Sequence, residues 1–338
     1  MFCTVCMFIL YLTFHIQFVR SVRDDKLGLN DKDLKRKRDP IRYALSYSIA
    51  VFVIGFLLHL IIATTVDVLL LPENYRDNMN QAAALKIKQL NGKCPMITAH
   101  RGLASQYPEN TLISFKAAIE HQPDYVELDF RSTVDGHLVC IHDANLNRYL
   151  GKQRPGWRDK PTESFTLQEL QTLDFGSWKS SEYSNTPVAT LKQVIAMFHQ
   201  LDANSRRPTL MLEHKTGTVE QLLEELDAFT DTKQFIVQSF NWPFLQQLKS
   251  KRPDIRIAAI GGGDMSESMM SHILKMDCHA VHWNDQITPQ IIDQFHQHGI
   301  AVWMYTLNHA RQWAYANQIG IDAITTDHCD QLRALQDH

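Results

Sequence analysis

The chain has 338 residues, with 34 Lys and Arg against 37 Asp and Glu, for a formal net charge of −3. Lys and Arg are not concentrated in the body of the chain, which excludes a nucleic-acid binder. The length suits one large or two ordinary domains, and of the six Cys only Cys3 and Cys6 are closely spaced, inside an apolar segment.

Residues 1–19 are apolar apart from a few hydroxyls, His15 and Gln17, and are just long enough to cross a bilayer. The rival reading, a cleaved signal peptide, lacks its charged start and its small-x-small cleavage site. Arg20, Arg23, Lys26, Lys32, Lys35, Arg36, Lys37, Arg38 and Arg42 then crowd into residues 20–42, and a short basic loop between apolar spans marks the cytoplasmic side. Residues 43–71 give a strong membrane-helix signal. Its costly residues are His59, assigned to packing, and Asp67, assigned to the interface. The expected organisation is a first span and basic loop (1–42), a second transmembrane helix (43–71), a linker (72–95) with a helix over 75–90, and an enzyme domain (96–338). The lipid bilayer is then a partner, and the enzyme domain faces the extracytoplasmic side.

From residue 96 onward, short β-rich runs alternate with amphipathic helical stretches, the habit of a parallel sheet in an α/β fold. The runs are 96–100, 125–130, 138–141, 209–213, 234–239, 256–260, 280–283, 301–306 and 322–326. Nine is one more than an eight-stranded barrel needs, so one of them belongs elsewhere. Only Thr133-Val134-Asp135-Gly136 joins the second run to the third, too short for a helical crossover. Asn110 is the expected cap of the first helix. Residues 144–190 form the longest insertion, where Trp157 and Trp178 either pack or line a headgroup pocket. Cys94, Cys140, Cys278 and Cys329 leave a disulfide open without selecting a pair.

Three successive strands end in ionisable groups. The first delivers His100, Arg101 and Gly102 to a loop; the second carries Glu127 and Asp129, which share a face because strand side chains alternate. The third leads to His142 and Asp143. Paired carboxylates repel unless a cation or proton lies between them, and a hard divalent ion, Mg²⁺ or Ca²⁺, suits such oxygens. Two imidazoles can divide acid and base roles near neutral pH, and the Arg101 fork suits a phosphate. This set points to metal-assisted hydrolysis of a phosphate ester.

His100-Arg101-Gly102, Pro108-Glu109-Asn110-Thr111 with Phe115, Glu127-x-Asp129, Thr133-x-Asp135-Gly136, His142-Asp143 and Leu146-x-Arg148 stand in the order and spacing of a known signature. The chain resembles the glycerophosphodiester phosphodiesterase family over about residues 96–330. The resemblance implies a TIM-type (β/α)8 barrel, here preceded by two transmembrane helices, with Glu127, Asp129 and Glu213 holding one divalent cation. It also implies that His100 and His142 are the catalytic acid and base, and that Arg101 and Lys215 are phosphate-binding. Tyr305 stands on a substrate-binding strand where the family more commonly has Trp. The implied reaction yields glycerol 3-phosphate and an alcohol. The alternative is a lysophospholipase D acting on membrane lysophospholipids, so the substrate is a small-molecule or lysolipid phosphodiester. A degenerate binding module is opposed by the presence of both His and all three carboxylates. His214, His282, His296 and His298 receive no role.

Overall fold

The computed structural model describes residues 94–150, 154–201, 207–227 and 231–337. The expected membrane spans, basic loop and linker helix lie outside the described residues. Among those described, no helix is long and apolar enough to cross a membrane.

The strands are β1 (Met96–Ala99), β2 (Tyr125–Ser132), β3 (Leu138–Cys140), β4 (Thr209–His214), β5 (Phe235–Ser239), β6 (Ile257–Ile260), β7 (Ala280–Trp283), β8 (Ala301–Met304) and β9 (Ala323–Thr326). Eight of them are parallel and in the order β1-β9-β8-β7-β6-β5-β4-β2, and β1 also pairs with β2, so the barrel closes. The extra strand is β3. It runs antiparallel on β2, with Phe130 opposite Cys140 and Ser132 opposite Leu138, as the short Thr133–Gly136 link requires.

The helices are α1 (Leu112–Glu120), α2 (Leu167–Leu170), α3 (Leu191–His199), α4 (Val219–Leu226), α5 (Trp242–Lys251), α6 (Glu267–Leu274), α7 (Pro289–Gln297), α8 (Ala310–Gln318) and α9 (Cys329–Asp337). Their starts are written in the sequence. Thr111, Thr166, Thr190, Thr218, Asn241, Ser266 and Thr288 each accept a hydrogen bond from a first-turn N–H. Each such cap contributes about 1 kcal/mol. The cap of α1 is therefore Thr111, not Asn110 as the sequence suggested. Asn110 adopts φ +58°, a left-handed conformation that Asn tolerates, and its side chain turns into the barrel.

β2 is buried on both faces over its first six residues, which explains its nearly continuous apolar run. Val126, Leu128 and Phe130 face the helices and join the main core. Tyr125 faces inward, where it forms the floor of the barrel with Met211, Ile236, Ala258, Ala280, Trp303 and Ala323. Three alanines on β6, β7 and β9 leave room for the Trp303 indole, whose centroid lies 5.1 Å from that of Tyr125. The plugged floor restricts the interior polar residues to the other end. A separate small core, with Val139, Ile141, Leu146, Leu150, Phe165, Leu170, Phe175 and Val188, stabilises the 144–190 insertion. Cys94, Cys140, Cys278 and Cys329 are all free thiols, so the open question of a disulfide among them is answered in the negative.

Candidate active site

The residues above the floor follow from strand alternation. Beyond Tyr125 on the inward face of β2 come Glu127 and then Asp129, and Asp129 is in register with Glu213 of β4. The three carboxylates converge: one oxygen from each lies within 4.8 Å of the others, and all three residues are buried. Lys215 Nζ contacts Asp129 Oδ1 at 3.1 Å and also pairs with Glu213. Arg101 Nε lies 3.0 Å from Asp129 Oδ2.

Arg101 reaches that position through a tight turn. Its own φ is +55° and that of Gly102 is +87°. A Cβ on residue 102 would fall 2.6 Å from the Ser114 carbonyl carbon, so only Gly fits there. The turn aims the Arg101 N–H at Glu127 Oε2, 2.8 Å away. Arg101 and Arg148 both bind Glu109 Oε1 at 3.0 Å.

The electrostatics differ among the three acids. Burial alone would raise Asp129, but the charges of Arg101, Lys215 and His142 and the Asn110 hydrogen bond outweigh it, holding Asp129 well below the usual carboxylate range. Glu127 goes the other way: burial, then the charges of Asp129 and Glu213, push it well up against the weaker pull of Arg101. Burial and the charge of Asp129 raise Glu213 despite Lys215. Mutual repulsion of this kind is relieved by a cation. Among the described residues, Glu127 Oε1 is buried without a hydrogen-bond partner. This orphaned oxygen and the all-oxygen donor set fit a hard divalent ion.

Each predicted His is paired with a carboxylate. His100 Nδ1 donates to Asp327 Oδ1 at 2.7 Å, and Asp327 Oδ2 accepts from Asn308 Nδ2 at 2.6 Å. Burial would raise Asp327, but the bond from His100 leads the effects that hold it low. His142 Nδ1 donates to Asp143 Oδ1 at 3.1 Å, and Arg148 Nε lies 3.0 Å from Asp143 Oδ2. The bond from His142, against a smaller effect of burial, holds Asp143 low. With Nδ1 committed in each ring, Nε2 is left for proton transfer.

The pocket is lined by His100, Glu127, Glu213, Gln238, Phe240 and Tyr305, among others. The Tyr305 hydroxyl donates to Gly261 O at 2.7 Å, so its ring is what the pocket meets. Trp157 packs on Phe165 with centroids 4.7 Å apart, within the insertion's core. Trp178 lies under the Arg148 guanidinium at 4.6 Å, supporting it from below. Asp143, Arg148 and Glu109 stood within the sequence motif without roles, and Asn110 only as the expected helix cap. Asp327, Asn308, Gln238 and Phe240 were missed as site residues, because only the closed barrel brings them to the site.

Barrel enzymes carry their chemistry at the C-terminal strand ends. Two carboxylate-oriented imidazoles beside a buried set of acids and cations suit acid–base cleavage of a phosphate ester, and together they define a barrel hydrolase. The chain belongs to the glycerophosphoryl diester phosphodiesterase family, whose model matches residues 100–331. It is accordingly an enzyme, a phosphoric diester hydrolase with glycerophosphodiester phosphodiesterase activity. It is similar to the glycerophosphodiester phosphodiesterase of Caldanaerobacter subterraneus subsp. tengcongensis, with 27 % identity over 245 residues, 70 % of this chain and 96 % of that protein. A Bacillus subtilis glycerophosphodiester phosphodiesterase is 25 % identical over 273 residues, 75 % of this chain and 91 % of that one. Among solved structures, an Oleispira antarctica phosphodiesterase in complex with the product sn-glycerol-3-phosphate matches with 26 % identity and a TM-score of 0.64. The match covers 72 % of this chain and 97 % of that one.

Proposed function

We propose that the enzyme hydrolyses glycerophosphodiesters to glycerol 3-phosphate and an alcohol in a reaction that depends on one divalent cation, Mg²⁺ or Ca²⁺. The observation that carries the metal dependence is the convergence of Glu127, Asp129 and Glu213 within 4.8 Å. When bound by those three, the ion supplies Lewis-acid polarisation of a phosphoryl oxygen. The Oleispira protein's complex with sn-glycerol-3-phosphate supports the product assignment.

The remaining steps fall to side chains. Arg101 and Lys215, at the rim of the acid cluster, attract the phosphate and offset charge growing on its oxygens. The attacking oxygen, from water or from the neighbouring glycerol hydroxyl, gives its proton to Nε2 of one His as the new P–O bond forms; attack by the glycerol hydroxyl gives a cyclic phosphate, which water then opens to glycerol 3-phosphate. The P–O bond to the alcohol breaks, and the other His, entering as imidazolium, protonates the departing oxygen. Asp327 and Asp143 hold each ring in the tautomer that the transfer needs and favour the cationic form when it arises. The Phe240 ring, 56 % exposed and 5.8 Å from Lys215 Nζ, and the Tyr305 ring form an aromatic side to the pocket against the leaving alcohol.

We further propose that the chain is membrane-anchored by residues 1–19 and 43–71, with the barrel on the extracytoplasmic side; the basic stretch 20–42 supports that orientation. The deciding experiment offers glycerophosphocholine, glycerophosphoethanolamine and lysophosphatidylcholine to the full-length enzyme with each metal. Release of glycerol 3-phosphate from the first two, lost on chelation, is expected. Turnover of lysophosphatidylcholine alone would make it a lysophospholipase D, and turnover unaffected by chelation would remove the metal.

A further inference from the structure

One buried polar group has no place in the chemistry above. His282, on β7, points into the barrel over the apolar floor, and only 2 % of its surface is exposed. Its ring meets Trp303 and Tyr305 edge to face, with centroids 5.9 and 5.0 Å away. A buried imidazole among aromatic rings is costly unless both nitrogens are satisfied. Both are: Nδ1 lies 2.8 Å from Gln238 Oε1, and Nε2 lies 2.9 Å from Thr325 Oγ1.

The direction of these bonds can be worked out from donor chemistry. The Gln238 oxygen can only accept, so Nδ1 carries the proton and Nε2 accepts from the Thr325 hydroxyl. The flip of the Gln238 amide follows from its other neighbour, since the Glu213 carboxylate can only accept and so faces the amide nitrogen. Its Nε2 then faces outward and donates to Glu213 Oε2, across 3.5 Å. A hydrogen-bonded chain therefore runs Thr325, His282, Gln238, Glu213, from the barrel interior to one of the three acids. With the opposite flip, the Gln238 oxygen would face the carboxylate and repel it.

We propose that His282 is a positioning residue for the metal centre: by locking the Gln238 amide, it orients the Glu213 carboxylate toward Glu127 and Asp129. This rests on the metal reading given under Proposed function. A group that orients a ligand in this way typically changes metal affinity by about 10- to 100-fold when removed. The role differs from packing, since it passes through one amide and needs only the Nδ1–H donor.

The test is calorimetric titration of the chelated full-length enzyme with Mg²⁺ and with Ca²⁺, for wild type, His282→Phe, His282→Asn, Gln238→Ala and the His282→Phe/Gln238→Ala pair. The expected result is about tenfold weaker binding for His282→Phe and for Gln238→Ala, and no further loss in the pair. His282→Asn keeps an N–H near the Nδ1 position and should bind within about threefold of wild type. A His282→Phe protein that binds as tightly as wild type overturns the proposal, as does a pair whose losses add. Should His282→Phe fail to fold, the comparison of His282→Asn with Gln238→Ala decides, and equal weakening of both overturns it. A wild-type enzyme that binds neither ion overturns the metal reading and this inference together; tight wild-type binding with an unaffected His282→Phe overturns the inference alone.

Discussion

Asn110 holds Asp129 at both ends: its Nδ2 donates to the carboxylate Oδ2 at 2.9 Å, and its Oδ1 accepts from the Asp129 backbone N–H at 3.0 Å. Both residues are buried, and Asn110 does this from a left-handed backbone conformation. Asn110→Asp replaces the donor with a second carboxylate against Asp129, and should lower kcat/KM by tenfold or more. Asn110→Gly keeps the backbone conformation without strain but loses both bonds, for about 1–3 kcal/mol of stability. Denaturant melts and steady-state kinetics on the two variants check this. An Asn110→Asp enzyme with wild-type kcat/KM would show that the clamp does not matter to the site.

Glu127→Ala and Asp129→Ala should each abolish metal-dependent turnover while the barrel stays folded. Burial and repulsion strain Glu127, so Glu127→Ala should hold or raise the melting temperature, whereas Asp129→Ala takes the partner from Arg101, Lys215 and Asn110 and should lower it without unfolding the barrel. Circular dichroism and activity after chelation and readdition of metal provide the measurement. Full activity in either variant would refute the ligand assignment.

His100→Ala and His142→Ala should each lose on the order of 100-fold in kcat, the usual scale for a missing general acid or base. A p-nitrophenyl leaving group needs little protonation. It should rescue the variant that lacks the acid and leave the other slow, whereas equal rescue of both would contradict a division of roles.

His282 makes stability pH-dependent. Burial, with a smaller effect from His100, lowers it from 6.5 to about 3 in the fold. A base with a depressed native pKa is protonated first in the unfolded chain. Stability is therefore intact above pH 6.5 and falls as the pH drops from there toward 3, by up to about 1.4 kcal/mol per pH unit. His282→Asn removes this group and should show a shallower loss than wild type between pH 7.5 and 5.5 in denaturant melts. Parallel slopes would mean that His282 does not titrate differently on folding.

A reporter that is active only after export, fused after His338, should be active, and protease added to intact cells should reach the barrel. The expectation rests on the nine Lys and Arg of residues 20–42, since such a bias sets the orientation of the span that follows. A silent reporter with a protected barrel would place the enzyme in the cytoplasm.

Much of this site can be read from strand alternation and motif. Glu127 and Asp129 had to share a face once 125–130 was a strand, and the inward carboxylates follow. The short link before residue 138 already argued against a helical crossover, yet the three-residue run of β3 looks the same in sequence whether parallel or antiparallel. Asn110 resembled a helix cap because Asn and Thr are both favoured there, and a left-handed φ leaves no mark on composition. Asp327 meets His100 across 227 residues, and His282 meets Gln238 across 44. Neither separation carries a periodic signal, so only barrel closure reveals those partners.

The strand that stands outside the barrel has a consequence for how such an enzyme can change. His142 follows β3, whose Leu138 and Cys140 belong to the main core while Val139 joins the insertion's own core, and the His142 carbonyl accepts from the Arg131 guanidinium of β2. His100, by contrast, is tied to the barrel wall through its N–H to Thr326 O. One of the two imidazoles is thus mounted on a barrel strand and the other at the junction between the barrel wall and the insertion. Leu146, Phe165 and Phe175 lie in the insertion's core alone, so substitutions among them can shift the second imidazole and re-shape the mouth of the pocket without touching the core behind Glu127 and Asp129. Sequence drift in the insertion is therefore a route to a re-shaped mouth that the barrel strands do not have to follow.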